Sequence, residues 1–377
     1  MISLSQKHLL LFKLVQVVIL ILLLAGCQNS DPIKIGFSGC LTGRLADLGV
    51  YGRNGVMLAV EEVNQLGGIS GRKVELLIRD DKQDPDTARK VDRELIDEGV
   101  VAIIGHMTSS MSMAVTSIIN QEKVLYFSPT TATNQLVGTD DFFLRTISTN
   151  RDAILRLANH VINDLKLRRT VVVYDDNNRA FSKEWVDIFS EFAQQRAYSS
   201  IGVPFRSQPE LSFSQLTKTV LSYNPDGVLI VAAALDAAMI CQQIRKAGAD
   251  VPIFTTMWSM SKDFIQHGGS ATEGVSFISW FDHDHPATAS SAFHRKYQKR
   301  FGHVPTYASH FAYETANILF YGLEQTTDPK KLKKIILEKG SFSGTQGTIK
   351  LDKYGDTTRD LFLMKVINGG YKRTKKF

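Results

Sequence analysis

Val100-Val101-Ala102-Ile103-Ile104-Gly105-His106-Met107-Thr108-Ser109-Ser110-Met111 decides the fold. Its unbroken apolar run, Val100 to Ile104, predicts a strand covered on both faces, as in a parallel sheet. Ser109 to Gln121 then places Met111, Val115, Ile118 and Ile119 at helical spacing, which predicts a helix with one buried face. Val124 to Phe127 predicts the next strand. Upstream, Ile33 to Phe37 reads as a strand running into a glycine-containing loop, Ser38 to Gly43. A helix follows with Val56, Ala59, Val60, Val63 and Leu66 inward, and Gly67-Gly68 ends it. Val74 to Ile78 is a further strand, and Ala88, Val91 and Leu95 mark a further helix.

Downstream the rhythm restarts. Ile154, Leu157, Val161 and Leu165 form a helical stripe, and Thr170 to Tyr174 a strand. Phe181, Trp185, Ile188 and Phe192 mark a helix, Val228 to Ala232 and Ala237 to Lys246 repeat the unit, and Ile253-Phe254 starts another strand. Such alternation predicts an α/β fold with parallel sheets flanked by helices. Two series in one chain predict two Rossmann-like lobes.

The N-terminus predicts export. Lys7 and Lys13 precede an apolar run from Val17 to Ala25, and no acidic residue occurs before Asp31. Even counted from Leu9, the apolar stretch has Lys13 and Gln16 inside it and is short for a span of roughly 20 apolar residues. Residues 1–26 therefore read as a secretory signal peptide, with an N-terminal anchor helix as the alternative. Leu24-Ala25-Gly26-Cys27 resembles the bacterial lipobox, which implies acylation of Cys27 and attachment to a membrane surface.

The chain carries 44 basic and 38 acidic residues. Without the two lysines of the leader, 42 against 38 leaves a net charge of +4, and Lys372, Arg373, Lys375 and Lys376 account for as much. A modest surplus in a basic tail does not point to nucleic acid. Cys40 and Cys241 are expected in different lobes as inert thiols, so no disulfide framework is expected.

No G-x-x-x-x-G-K-[ST], G-x-S-x-G or H-E-x-x-H motif occurs, and Gly36, Gly39 and Gly43 miss the dinucleotide-binding spacing. Asp282-His283-Asp284-His285 reads as a solvated loop rather than a metal site, and His106 as a hydrogen-bonded structural histidine. No cofactor and no metal are expected. What remains is rich in hydroxyls at strand ends: Thr108-Ser109-Ser110 and Ser128-Pro129-Thr130-Thr131-Ala132-Thr133-Asn134. Ligands in open parallel sheets sit beyond the carboxyl ends of strands, so the two clusters predict one pocket wall. Hydroxyls and backbone N–H groups at a helix N-terminus grip a carboxylate, although capping and turn formation use the same residues.

From Ile33 to about Val366 the chain resembles the leucine/isoleucine/valine-type periplasmic solute-binding proteins of ABC transporters. The likeness rests on Thr42-Gly43, Gly49, Asn54-Gly55, Gly67-Gly68-Ile69-Ser70-Gly71, Asp80-Asp81, Gly105-His106 with Ser109-Ser110, the Ser128–Asn134 run, Asn178-Arg179-Ala180-Phe181 and Glu273-Gly274-Val275. It implies a type I binding-protein fold with three crossing segments. One lobe would hold residues 31–147 and 279–351, and the other 148–278 and 352–377. It implies a ligand carboxylate on Ser109, with Ser110 beside it, an α-amino group near Thr130, Thr131 or Thr133, and an aromatic contact from Phe181.

Two positions depart from the pattern. The acidic partner of the α-amino group falls on Met257, beside Trp258, and an aromatic position near the first loop falls on Leu48. Asp236 would replace the acid, or merely cap a helix; Trp258 would offer a flat apolar or cation-binding face, or merely pack the core. The expected function is capture of an amino acid, amide or other small carboxylate by hinge closure, and its delivery to an ABC permease without chemistry. A sensing receptor and an exported enzyme are the alternatives.

Overall fold

The structure, a computed structural model, describes residue 16, residues 31–285 and residues 288–377. The signal peptide read over residues 1–26, Gln16 apart, and the Cys27 acylation position lie outside the described residues. No helix among the described residues is long and apolar enough to cross a membrane.

Two sheets organise the chain. The first comprises β1 (Ile33–Gly39), β2 (Val74–Asp80), β3 (Ala102–Ile104), β4 (Leu125–Ser128) and β5 (Phe143–Arg145), in the order β2-β1-β3-β4-β5 and wholly parallel. The second gathers β6 (Arg169–Asp175), β7 (Ser199–Phe205), β8 (Gly227–Val231), β9 (Ile253–Thr256) and β10 (Ser276–Ser279) in parallel. The hairpin of β13 (Phe362–Ile367) and β14 (Gly370–Lys376) adds antiparallel strands at one edge, which the strand–helix rhythm did not predict. A small ribbon, β11 (Ser341–Gly344) with β12 (Gly347–Lys350), stands apart.

Most predicted faces are where the spacing puts them: Ala88, Val91 and Leu95 are buried on helix Pro85–Asp97, and Met111, Val115, Ile118 and Ile119 on helix Ser109–Glu122. Two expectations fail at helix ends. Leu66 is 88% exposed because helix Ala46–Gln65 stops one residue earlier, at two glycines with φ of +103° and +81°. Leu165 is exposed because the turn His160–Asp164 widens to π geometry and shifts the register of the stripe.

Helix Tyr307–Leu323 comes late in the chain yet packs on helix Ala46–Gln65, beside the first sheet. Gly55 allows this approach, since a Cβ there would stand 2.3 Å from the Ser309 carbonyl oxygen. The chain thus passes between the two sheets three times: after β5, after β10 and before β13. Fully buried Arg145 ties the first and third passages together. Its Nε donates to Asp356 Oδ1 at 2.7 Å, and its Nη1 to the Thr133 carbonyl at 2.8 Å.

Candidate functional site

The site is built where the carboxyl ends of β3 and β4 face those of β6 and β9. Gly105 ends β3 with φ +137°, and an added Cβ would lie 2.0 Å from the Ser38 carbonyl oxygen, so only glycine lets the strand end this close to β1. Directly behind it His106 is buried, its Nδ1 2.6 Å from Asp81 Oδ2 and its Nε2 3.4 Å from Asp92 Oδ1. Ser38 Oγ donates to Asp92 at 2.6 Å. Burial disfavours charge on His106, but Asp92 and Asp81 outweigh it and hold its pKa up to about 10. His106 is therefore a charged structural anchor.

This anchor fixes the hydroxyl wall. The His106 carbonyl accepts from Ser128 Oγ at 2.9 Å and Thr131 Oγ1 at 3.3 Å, and Thr131 pairs with Ser112 at 2.6 Å. Thr130 Oγ1 donates to the Met107 carbonyl at 2.6 Å. Ser109 Oγ accepts the Ala132 N–H at 3.3 Å, and its own hydrogen has no acceptor among the described residues. That hydroxyl is an available donor at the start of a helix.

The opposite wall is aromatic. Helix Arg179–Gln194 presents Phe181 and Trp185 one turn apart, with ring centroids 6.2 Å apart. Trp258, in the short turn after β9, meets Phe181 edge-on at 5.6 Å and 79°. Between the walls lies a small cavity, with room for about one water molecule. Leu48, Met107, Thr108, Ser109 and Thr130 line it from the first sheet, and Asn178, Phe181, Met257 and Trp258 from the second. Ile147, Trp280 and Tyr307 complete it.

Of the residues singled out in the sequence, Ser109, Thr130, Phe181 and Trp258 meet in this cavity. Ser110, Thr131, Thr133 and Asp236 lie outside its lining. Thr131 is spent on the hydroxyl wall, and the other three bond across the cleft. Ser110 N–H donates to Asn178 Oδ1, and the Ala180 N–H donates back to Ser110 Oγ, both at 3.1 Å. Glu184 accepts from Thr133 Oγ1 at 2.6 Å, from the Asn134 backbone and side chain, and from Asn150 Nδ2 at 3.0 Å. Asp236, in the first turn of helix Ala234–Lys246, is ion-paired with Arg44 and makes no cap. Nearby, burial pushes the Asp47 carboxyl up to about 7, with Asp263 and Asp236 adding to the rise.

Sequence reasoning missed Met107, Asn178, Trp280 and Tyr307. Asn178 was visible as part of the stretch that leads to Phe181, whereas Tyr307 belongs to a helix whose partner lies some 250 residues away in sequence. The reading of Asp282 to His285 as a solvated loop is corrected at Asp282 and His283, while Asp284 is exposed. Asp282 is buried and paired with Arg373 Nη1 at 2.5 Å, and His283 stacks on Tyr371 at 4.9 Å because the C-terminal hairpin covers them. Cys40 and Cys241 are free, buried and in separate lobes. Cys40, Asp80 and Asp81 place ligand atoms within 4.8 Å, but Asp81 is committed to His106, and burial pushes the Cys40 thiol up to about 12.

Two walls meeting over a small cavity, on lobes threaded three times by one chain, is the arrangement of a binding protein, and a sequence profile of the periplasmic binding protein family matches residues 32–371. The chain belongs to that family. It is 24% identical to the Leu/Ile/Val-binding protein of Escherichia coli (strain K12) over 345 residues, 89% of this chain and 92% of that one. The structure resembles a leucine binding protein from Thermotoga maritima with TM-score 0.83, at 24% identity, covering 91% of this chain and 98% of that one. It also resembles an ABC transporter solute binding protein from R. palustris in complex with benzoate, with TM-score 0.81, at 19% identity, covering 92% and 96%. The resemblance read from the sequence, and the two-lobed α/β fold it implied, are borne out.

Proposed function

We propose that this chain captures a small carboxylate or amino-acid-like solute between its lobes and delivers it to the permease of an ABC transporter. The observation that carries this reading is the cavity itself. Its hydroxyl wall belongs to the first sheet, its aromatic wall to the second, and hydrogen bonds from Ser110 and Glu184 close one lobe on the other. The ligand carboxylate would accept from Ser109 at the N-terminus of helix Ser109–Glu122. Closure adds Phe181 and Trp258, excludes water and shifts the population toward the closed form. The lobes are taken as residues 31–147 with 279–351, and 148–278 with 352–377. Binding proceeds without chemistry, outside the cytoplasm, with Cys27 acylated and holding the protein at a membrane surface. One relative is a Leu/Ile/Val-binding protein and one structural neighbour holds benzoate, which supports this class of ligand.

A thermal-shift screen of amino acids, amides and small carboxylates tests it. A ligand that binds only the folded state raises Tm, and the hit should be lost in Ser109→Ala. Hits indifferent to Ser109→Ala would remove the proposed pocket. Labelled palmitate incorporated by the wild type and not by Cys27→Ser would establish the anchor.

A further inference from the structure

The cavity lining contains no ionised side chain. We propose that the captured solute is a flat, ring-bearing monocarboxylate that has no α-ammonium group. This deepens the capture reading above and rests on it.

An ammonium brings three donors and a full charge, and the lining offers no anion to meet it. Asn178 Oδ1 accepts the Ser110 N–H, and the Met107 carbonyl accepts the Thr130 hydroxyl. Three junction carboxylates stay outside the lining, although one oxygen each of Asp236 and Asp47 has no hydrogen-bond partner among the described residues. Asp236 pairs with Arg44, Glu184 is filled by Thr133, Asn134 and Asn150, and Asp47 is packed beside Asp236 and Asp263. None of the three lines the cavity. An ammonium enclosed here would lose its water and gain no counter-charge.

The rest of the lining favours a ring. Phe181 and Trp258 stand nearly perpendicular at 5.6 Å, forming a corner of two aromatic surfaces, and Trp185 packs behind Phe181. Trp280 and Tyr307 add two more rings, and Met107 and Met257 supply thioethers that pack well on aromatic edges. The carboxylate then meets the Ser109 hydroxyl, whose hydrogen has no acceptor among the described residues.

Matched pairs isolate the ammonium: 3-phenylpropionate against phenylalanine, and 4-methylpentanoate against leucine, titrated calorimetrically into the full chain in detergent. Each acid should bind at least about tenfold tighter than its amino counterpart, because the counterpart must bury an unpaired charge. The ring acid should bind tighter than the branched one. Ser109→Ala should weaken both acids, and Trp258→Leu should weaken 3-phenylpropionate more than 4-methylpentanoate, with the unliganded Tm of each variant confirming its fold. Tighter binding of phenylalanine or leucine overturns this inference and leaves carboxylate capture standing. Tighter binding of a trimethylated betaine overturns it in favour of a cation held by the aromatic rings. Acids that bind equally well to Ser109→Ala, or no binding by any member of the panel, overturn both readings.

Discussion

The two walls of the cleft handle charge in opposite ways. The first wall keeps its charges behind the surface, where His106 lies between Asp81 and Asp92, and presents hydroxyls and apolar side chains to the cavity. The second wall sets rings against the cavity and carries its charges, Glu184 and Asp236, out to the junction, where the first lobe must come to meet them. One wall is preorganised, and the other is complete only when the lobes close. Stability should therefore reside in the first set of charges and affinity in the second.

The sharpest test of that division is the buried anchor. His106→Asn should destabilise the fold by about 3–5 kcal/mol in urea unfolding, because it strands Asp81 and Asp92 without a counter-charge. The wild type should also lose stability as pH rises. A histidine whose pKa is raised by folding contributes fully below its unfolded value of about 6.5, and that contribution fades as pH passes through about 10. A Tm that is flat from pH 6.5 to 10 would show that the histidine is neutral.

Glu184→Gln should leave urea stability nearly unchanged yet weaken ligand binding about tenfold or more, since charge-assisted hydrogen bonds contribute about 1.5–3 kcal/mol each before relaxation. An equal loss of stability would place Glu184 with the structural charges and break the comparison.

Closure should also respond to pH through Asp47, which lies near Asp236, Asp263, Tyr51 and Tyr307. Its carboxyl is pushed up to about 7 when closed and returns toward the ordinary range when water enters. Closing then takes up a proton, so affinity should be highest in acid and weaken by less than about tenfold per pH unit toward neutrality. Titrations in Asp47→Asn should lose this slope.

The smallest effect belongs to Arg44, which is partly exposed: Arg44→Gln should weaken binding about two- to threefold, and only at low salt.

The strands and most helix faces were legible because a covered parallel strand and an amphipathic helix each write their burial into local periodicity, as Ala102–Ile104 and Ser109–Glu122 do. Periodicity did not mark where a helix ends, so Leu66 and Leu165 were misplaced. In the site, Ser109 was legible because it sits in a hydroxyl cluster just past a strand end, and Phe181 only through the family resemblance. Asp236 was not, because its role depends on Arg44, which lies 192 positions earlier in the chain. Likewise, the solvent exposure of Asp282 and His283 was decided by a hairpin that begins some 80 residues later.

The bonds across the cleft also bear on time rather than equilibrium. A solute held between walls that Glu184 and Arg44 bond together leaves when the lobes part. Its residence is then governed by how often Glu184 and Arg44 let go, and chemically different solutes would share one upper limit on their dissociation rates.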